Sequence, residues 1–304
     1  MKNYIEAARL RTLPLSVSGI LIGSFYAISQ AIFNWKIVLL SLLTTVFLQI
    51  LSNFANDYGD GVKGTDNDDR VGPKRAIQSG AISASDMKKA LWITAILTFI
   101  SAVLLIYFSF KNQYFLYSLI FLVLGIIAIA SAIKYTVGAS AYGYKGFGDL
   151  FVFIFFGWVS TLGSYFLFTK SIDIQLFLPA TAIGLLSVAV LNLNNMRDEF
   201  SDRKANKNTL VVQKGGAWAK KYHTFLIVSA MILLIVFGIL QDFAFDQYLF
   251  VVAFLPLVFH LKRVQNNNEP AKLDPELKIV ALSTFFIALL LSFGLIYLIS
   301  DILV

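Results

Sequence analysis

Residues 51–70 read LSNFANDYGDGVKGTDNDDR, and they close an apolar run that begins near residue 36. About 20 mostly apolar residues are enough to cross a bilayer as a helix. Ending such a run in Asn53, Asn56 and a dense group of aspartates puts costly polar groups at the edge of the hydrocarbon. The stretch therefore marks the point where a membrane helix emerges and where chemistry begins.

The rest of the chain has the same character. Of its 304 residues, 58% are hydrophobic and 14% charged, with a mean hydropathy of +0.73, whereas roughly a quarter of an ordinary soluble domain is charged. Nine spans are expected, at about 13–32, 36–56, 89–110, 114–134, 148–168, 174–195, 223–241, 247–262 and 279–299. Continuous apolar runs exclude a β-barrel, whose strands alternate, so the chain reads as one all-α integral membrane domain over residues 1–304. The first run is flanked by Arg9 and Arg11, opens with Pro14 and has no small-residue cleavage site, which predicts a retained helix and not a signal peptide. With no cysteine, neither a disulfide framework nor a thiolate metal site is possible.

Nine helices place the chain ends on opposite sides of the membrane. The N-terminus and the loops after spans 2, 4, 6 and 8 hold 22 of the 25 Lys and Arg residues, leaving Lys36, Lys111 and Lys170 on the other face. The positive-inside rule makes the N-terminus cytoplasmic, together with the long loops at about 57–88 and 196–222. The same distribution explains the net charge of +7 by topology and argues against nucleic-acid binding.

The second long loop follows the sixth span and begins LNLNNMRDEFSDRKANKNTL at Leu191. Asn56 and Asp60 match Asn194 and Asp198 at a constant offset of 138 residues, and the same offset takes Asp202 to Gly64. The two copies lie four spans apart, the mark of a duplicated four-helix unit. Residues four apart share a helical face, so Asn194, Asp198 and Asp202 form one stripe, and Asn56 and Asp60 another. Clustered like charges near lipid need a cation. Mg2+ prefers oxygen and is usually held by one or two carboxylates with substrate phosphates, so two acidic helix ends facing across a cavity suit metal ions with a diphosphate between them. For either loop alone a solvated helix cap is the simpler reading, and it is the pairing in register that favours a site. The run TDNDDR at 65–70 lacks the glycine and closing glutamate of a calcium loop.

Basic partners for a diphosphate include Arg70, Lys74, Arg75, Arg197, Arg203, Arg11 and, at the end of the fourth span beside Tyr135, Lys134. Lys134 abuts an apolar run on the face where both acidic loops emerge and is favoured, with Arg11 next. Lys88, Lys89, Lys220 and Lys221 read as positive-inside anchors. The segment YTVGASAYGYKGFGDL at 135–150 has no dinucleotide fingerprint. Asp149, at its end, reads either as a third acidic group or as an N-cap neighbour favoured by the helix dipole. His223 and His260 lack a third His or Cys for zinc. Most of the 28 Phe residues are packing or lipid-facing material, although an aromatic cavity would shield a carbocation.

These motifs resemble the UbiA superfamily of intramembrane aromatic prenyltransferases: Asn-Asp-x-x-Asp after the second helix, Asn-x3-Asp-x3-Asp after the sixth, and nine helices. RTLPLSVSGI at 11–20, NDYGDGVKGTD at 56–66, GDLFVFIFFG at 148–157 and NNMRDEFSDRKANKNTLVV at 194–212 are similar to its MenA branch, the 1,4-dihydroxy-2-naphthoate polyprenyltransferases. The resemblance covers about residues 4–215. It implies a helical bundle around a cavity opening near the cytoplasmic side of a bacterial cell membrane. It also implies Mg2+ bound by Asn56, Asp57, Asp60, Asn194, Asp198 and Asp202, with Lys134, Arg11 and Arg75 assisting a polyprenyl diphosphate. The allylic cation would then be attacked by 1,4-dihydroxy-2-naphthoate, with loss of CO2. Catalytic weight falls on Asp60, Asp198, Asp202 and Lys134, and substrate binding on Asn56, Arg11, Lys74, Arg75, Tyr135 and Asn194. General members of the superfamily carry a third aspartate where this chain has Gly64, which leaves Asp66, Asp68 and Asp69 as substitutes.

Another aromatic acceptor, such as 4-hydroxybenzoate, keeps the class. A secondary transporter would place its charges near the bilayer midplane, whereas spans 2 and 6 stay apolar until their ends. A purely structural subunit leaves the paired carboxylates without a cause.

Overall fold

Two of the long helices are delimited by their own side chains. Asn34 accepts the N–H of Lys36 at 3.1 Å and starts one helix, which Gly64 ends in the left-handed conformation at φ 71°, a geometry open to a residue without Cβ. Ser83 accepts the Asp86 N–H at 3.1 Å and donates to its carboxylate at 2.8 Å, capping the next helix reciprocally. The computed structural model describes residues 1–66 and 71–302, with side chains to residue 296; Asp68, Asp69 and Arg70 lie outside the described residues.

Among the described residues nine helices are long and apolar enough to span a membrane: α1 (Lys2–Ser29), α2 (Trp35–Lys63), α3 (Ala84–Phe110), α4 (Phe115–Lys134), α5 (Gly148–Thr169), α6 (Phe177–Arg197), α7 (Gly216–Leu240), α8 (Phe245–Asn266) and α9 (Pro270–Ile296). All nine expected spans are present. The boundary that matters for the site is the end of α2, which stays helical through Lys63, so Asn56, Asp57 and Asp60 sit on its last two turns and not in a loop. Three spans are irregular: α1 breaks at Arg9 (φ 51°), α5 contains a π-helical stretch at Phe153–Val159, and α8 opens as a 3-10 helix over Phe245–Ala253.

Helix α6 is central and packs on α5, α7 and α9, whereas α4 touches mainly α2 and α3. None of the most apolar stretch of α4 is buried, which makes it a rim helix. Exposed Trp92, Ile96, Phe115 and Phe259 supply an apolar perimeter suited to lipid.

Inside lipid, tails solvate apolar side chains as well as other side chains do, so close backbone packing must supply the association energy. Gly19 and Gly23 of α1 lie against Ser160, Thr161 and Ser164 of α5, and Gly157 of α5 lies against Ala180 and Gly184 of α6. A Cβ on Gly23 would stand 2.1 Å from the Thr161 carbonyl oxygen. Gly23→Ala is therefore expected to cost about 1–3 kcal/mol through forced separation of the helices, read as a lower melting temperature of the detergent-solubilised protein; an unchanged melting temperature would mean that α1 and α5 do not associate at this point.

A polar clasp joins α7, α8 and α9. His223 Nε2 and His260 Nε2 lie 2.7 Å apart, His260 Nδ1 lies 2.5 Å from Glu276, and Arg263 Nε donates to Glu276 at 2.6 Å. The two histidines are thus partnered by each other and a carboxylate.

Candidate active site

The helical spacing of the first motif points Asp57 and Asp60 to different tasks. Both oxygens of Asp57 accept backbone N–H groups, from Ala76 at 3.1 Å and Ile77 at 3.2 Å, tying the 75–80 turn to α2. Asp60 is 1% exposed. It accepts from Arg75 Nη1 at 2.9 Å and from the Tyr144 hydroxyl at 2.7 Å. The same Arg75 donates to the Asn56 carbonyl at 2.8 Å and lies 3.2 Å from Asp66. Tyr144 shares a further 2.6 Å hydrogen bond with Thr65. Asp66 has thus turned inward beside Asp60.

The second motif is built on the end of α6 and the short helix Glu199–Lys204. Arg197 forks onto Asp198 at 2.8 and 2.7 Å, and also donates to Asn194 Oδ1 at 2.8 Å and to Asp274 at 2.5 Å. Gly72 packs directly on this guanidinium, where a Cβ would stand 2.7 Å from Nη2. Asp202 Oδ1 lies 3.3 Å from Lys207 Nζ, while its Oδ2 is buried without a hydrogen-bond partner.

Lys207 joins the two motifs. The residue is 6% exposed; its ammonium lies 3.3 Å from Asp202 of the second motif and is attracted as well by Asp60 of the first. Burial alone would lower its pKa, but these carboxylates raise it above the usual lysine value. Arg75 behaves in the same way: burial opposes its charge, and Asp60, Asp66, Asp57 and Asp198 overcome that cost. Burial pushes Asp202 up to about 6 despite the pull of Lys207, with Asp198 and Asp60 adding to the shift. Tyr135 is pushed up to about 12 by burial, and burial likewise raises Tyr144, so both phenols keep their protons at neutral pH and remain donors.

The structure thus brings Asn56, Asp60 and Arg75 together with Asn194, Asp198 and Asp202, with Tyr135 beside them. It does not bring in Lys134 or Lys74, which are exposed. Lys134 ends the rim helix α4, and the cation between the motifs is Lys207 instead. Arg11 is exposed at the border, 4.0 Å from Asp274. Sequence reasoning passed over Lys207 and Tyr144, one in a polar run after the second motif and the other in the glycine-rich segment. Neither position carries a pattern of its own, and only burial against carboxylates singles them out.

Among the described residues no group of three or more His, Cys, Asp or Glu is arranged to hold a metal unaided. The donors nevertheless suit a hard cation that arrives with phosphate. Among the described residues, five buried carboxylates (Asp57, Asp60, Asp66, Asp198 and Asp202) face three buried cations (Arg75, Arg197 and Lys207), an excess of negative charge, and Asp202 Oδ2 is an unpaired oxygen acceptor. Mg2+ commonly takes only one or two protein carboxylates and completes its shell with phosphate and water.

Residues 16–290 match the model of the UbiA prenyltransferase family. The chain is 43% identical over 298 residues to a 1,4-dihydroxy-2-naphthoate octaprenyltransferase of Haemophilus influenzae, covering 97% of this chain and 96% of that one. A UbiA homologue from Aeropyrum pernix has the same fold, with a TM-score of 0.71 at 14% identity over 97% of this chain and 99% of the other. One from Archaeoglobus fulgidus, solved bound to DMAPP and Mg2+, superposes with a TM-score of 0.59 at 15% identity, covering 95% and 99%. Nine spans, two facing acidic motifs on α2 and α6, and a match across nearly the whole chain lead to one conclusion: the chain belongs to the UbiA prenyltransferase family.

Proposed function

We propose that this membrane enzyme transfers a polyprenyl group from a polyprenyl diphosphate to 1,4-dihydroxy-2-naphthoate, releasing diphosphate and CO2 and giving demethylmenaquinol, the reduced form of demethylmenaquinone. The observation that carries the reading is the 43% identity, end to end, with a relative named for that activity. The paired acidic motifs supply the chemistry it needs. Asn56, Asp60, Asn194, Asp198 and Asp202 would hold Mg2+ together with the diphosphate. When bound, the metal neutralises charge that develops on the leaving group. Asp57, with both oxygens on backbone N–H groups, anchors the loop that carries Arg75.

The basic residues have a second role. Arg75, Arg197 and Lys207 offset part of the carboxylate charge in the structure, and each has donors to turn toward phosphate oxygens as the diphosphate enters. The two guanidiniums supply planar forks and Lys207 a point charge. Tyr144 holds its proton and donates to Asp60, fixing the carboxylate for coordination. Because these groups sit where α2 and α6 end, the polar head of the substrate reaches them while its isoprenoid tail stays among apolar helices. The Lys and Arg distribution supports a cytoplasmic N-terminus and a site facing the cytoplasm.

The test is mass spectrometry of products formed by the purified protein from a polyprenyl diphosphate with either 1,4-dihydroxy-2-naphthoate or 4-hydroxybenzoate, in Mg2+ or in EDTA. A prenylated, decarboxylated naphthoquinol that forms only with Mg2+ is the expected result. Product from hydroxybenzoate alone would overturn the acceptor, and equal product in EDTA would overturn the metal.

A further inference from the structure

Against Tyr135 lies a small cavity of about 10 Å³ whose wall includes Tyr135, Gly148, Asp149, Asn195, Thr209 and Leu210. Such a space admits about one oxygen atom with its hydrogen. Two acceptors in its wall are buried without a hydrogen-bond partner, Asp149 Oδ2 and Asn195 Oδ1, on residues 9% and 4% exposed. Buried acceptors left unpaired are rare because each costs about 1–3 kcal/mol. Room for the oxygen is made by Gly148, where a Cβ would stand 3.1 Å from the Tyr135 hydroxyl. A protonated phenol therefore faces the same space as an unpaired carboxylate. A hydroxyl group carries one donor and two acceptor lone pairs, so it satisfies Asp149 and Tyr135 at once. The cavity also adjoins the reaction site: Tyr135 is close enough to feel Lys207, Asp149, Asp60 and Asp202.

We infer that this cavity seats a ring hydroxyl of the aromatic acceptor and that Asp149 is the base that takes its proton. The inference rests on the prenyl transfer proposed above and deepens it. As the ring carbon bearing the carboxylate bonds to the allylic carbon, the carbon–oxygen bond to diphosphate breaks and diphosphate leaves with the electron pair. The neighbouring hydroxyl becomes a carbonyl and its proton passes to Asp149. CO2 then leaves, its bonding pair returns to the ring, and the carbonyl oxygen recovers the proton from Asp149. Protons balance, and no oxidant is required. Tyr135, donating to the hydroxyl oxygen, orients it and is a positioning residue.

Binding of two acceptor analogues to the full-length protein in detergent tests this without turnover. 1-Hydroxy-2-naphthoate keeps the hydroxyl next to the carboxylate and 4-hydroxy-2-naphthoate lacks it. The wild-type protein is expected to bind the first at least tenfold more tightly, and Asp149→Ala to erase that preference while leaving Mg2+-dependent binding of a polyprenyl diphosphate unchanged. Gly148→Ala, which narrows the cavity and keeps the carboxylate, should erase the preference as well and covers the case in which Asp149→Ala does not fold. With 1,4-dihydroxy-2-naphthoate, Asp149→Ala should form product at least a hundredfold more slowly. Equal binding of the two analogues by the wild type, or an undiminished preference in either folded variant, would overturn the inference. So would a loss of Mg2+-dependent diphosphate binding with the preference intact, which would assign Asp149 to the metal instead. Absence of any metal-dependent naphthoquinol from the wild type would instead strike the proposed function, so the two failures are separable.

Discussion

Asp60→Asn and Asp198→Asn are each expected to abolish useful turnover while leaving the protein folded. The substitution keeps shape and one acceptor oxygen and removes the charge that must hold a cation against the leaving diphosphate. Removing one preorganised electrostatic contact of this type lowers kcat by about 10²–10³-fold, and the two motifs act on the same group, so the double variant should lose little more than either single one. Folding survives because each arginine keeps other acceptors: Arg75 retains Asp66 and the Asn56 carbonyl, and Arg197 retains Asp274 and Asn194. Initial rates from product mass spectrometry, beside melting curves of the same preparations, check both halves. Wild-type rates in either folded variant would remove the metal from that position.

Loss of Arg75 should act on stability as much as on rate. Its buried guanidinium is shared by Asp60, Asp66 and the carbonyl of Asn56. Arg75→Met leaves two buried carboxylates side by side without their cation, and removing one partner of a buried ion pair costs about 3–5 kcal/mol. The expected outcome is a clear fall in melting temperature together with lost activity. Arg75→Lys restores the charge without the planar fork, so it should recover more of the stability than of the rate. If Arg75→Met melted like the wild type, the buried ion network would not exist in the membrane protein.

How much was legible beforehand follows from the kind of signal each feature leaves. The membrane class and all nine spans were readable because lipid demands long apolar runs. The two acidic motifs were readable because an offset of 138 residues and a spacing of four survive as pattern. Boundaries were less so: the polar end of α2 looks like loop by composition, yet its backbone stays helical to Lys63. In that position Asp57 and Asp60 diverge, one onto the backbone of Ala76 and Ile77, the other onto Arg75 and Tyr144. A one-dimensional list of carboxylates cannot separate them.

The basic partners illustrate the same limit. Lys134 was attractive because it touches an apolar run in sequence, but α4 packs at the rim and Lys134 itself is exposed. Lys207 sits in an unremarkable polar run and is buried between the motifs. Sequence by itself thus determined the solvent in which the protein lives, the number of its helices and the oxygen-rich chemistry at the ends of α2 and α6, because these are properties of composition and local spacing. Tertiary structure alone decided which charges meet: that Arg75 is shared by Asp60 and Asp66, that Lys207 pairs with Asp202 within the field of Asp60, and that Asp149 and Tyr135 line one cavity. Those outcomes depend on where helices pack against one another, and a charge records nothing in the sequence about its distant partner.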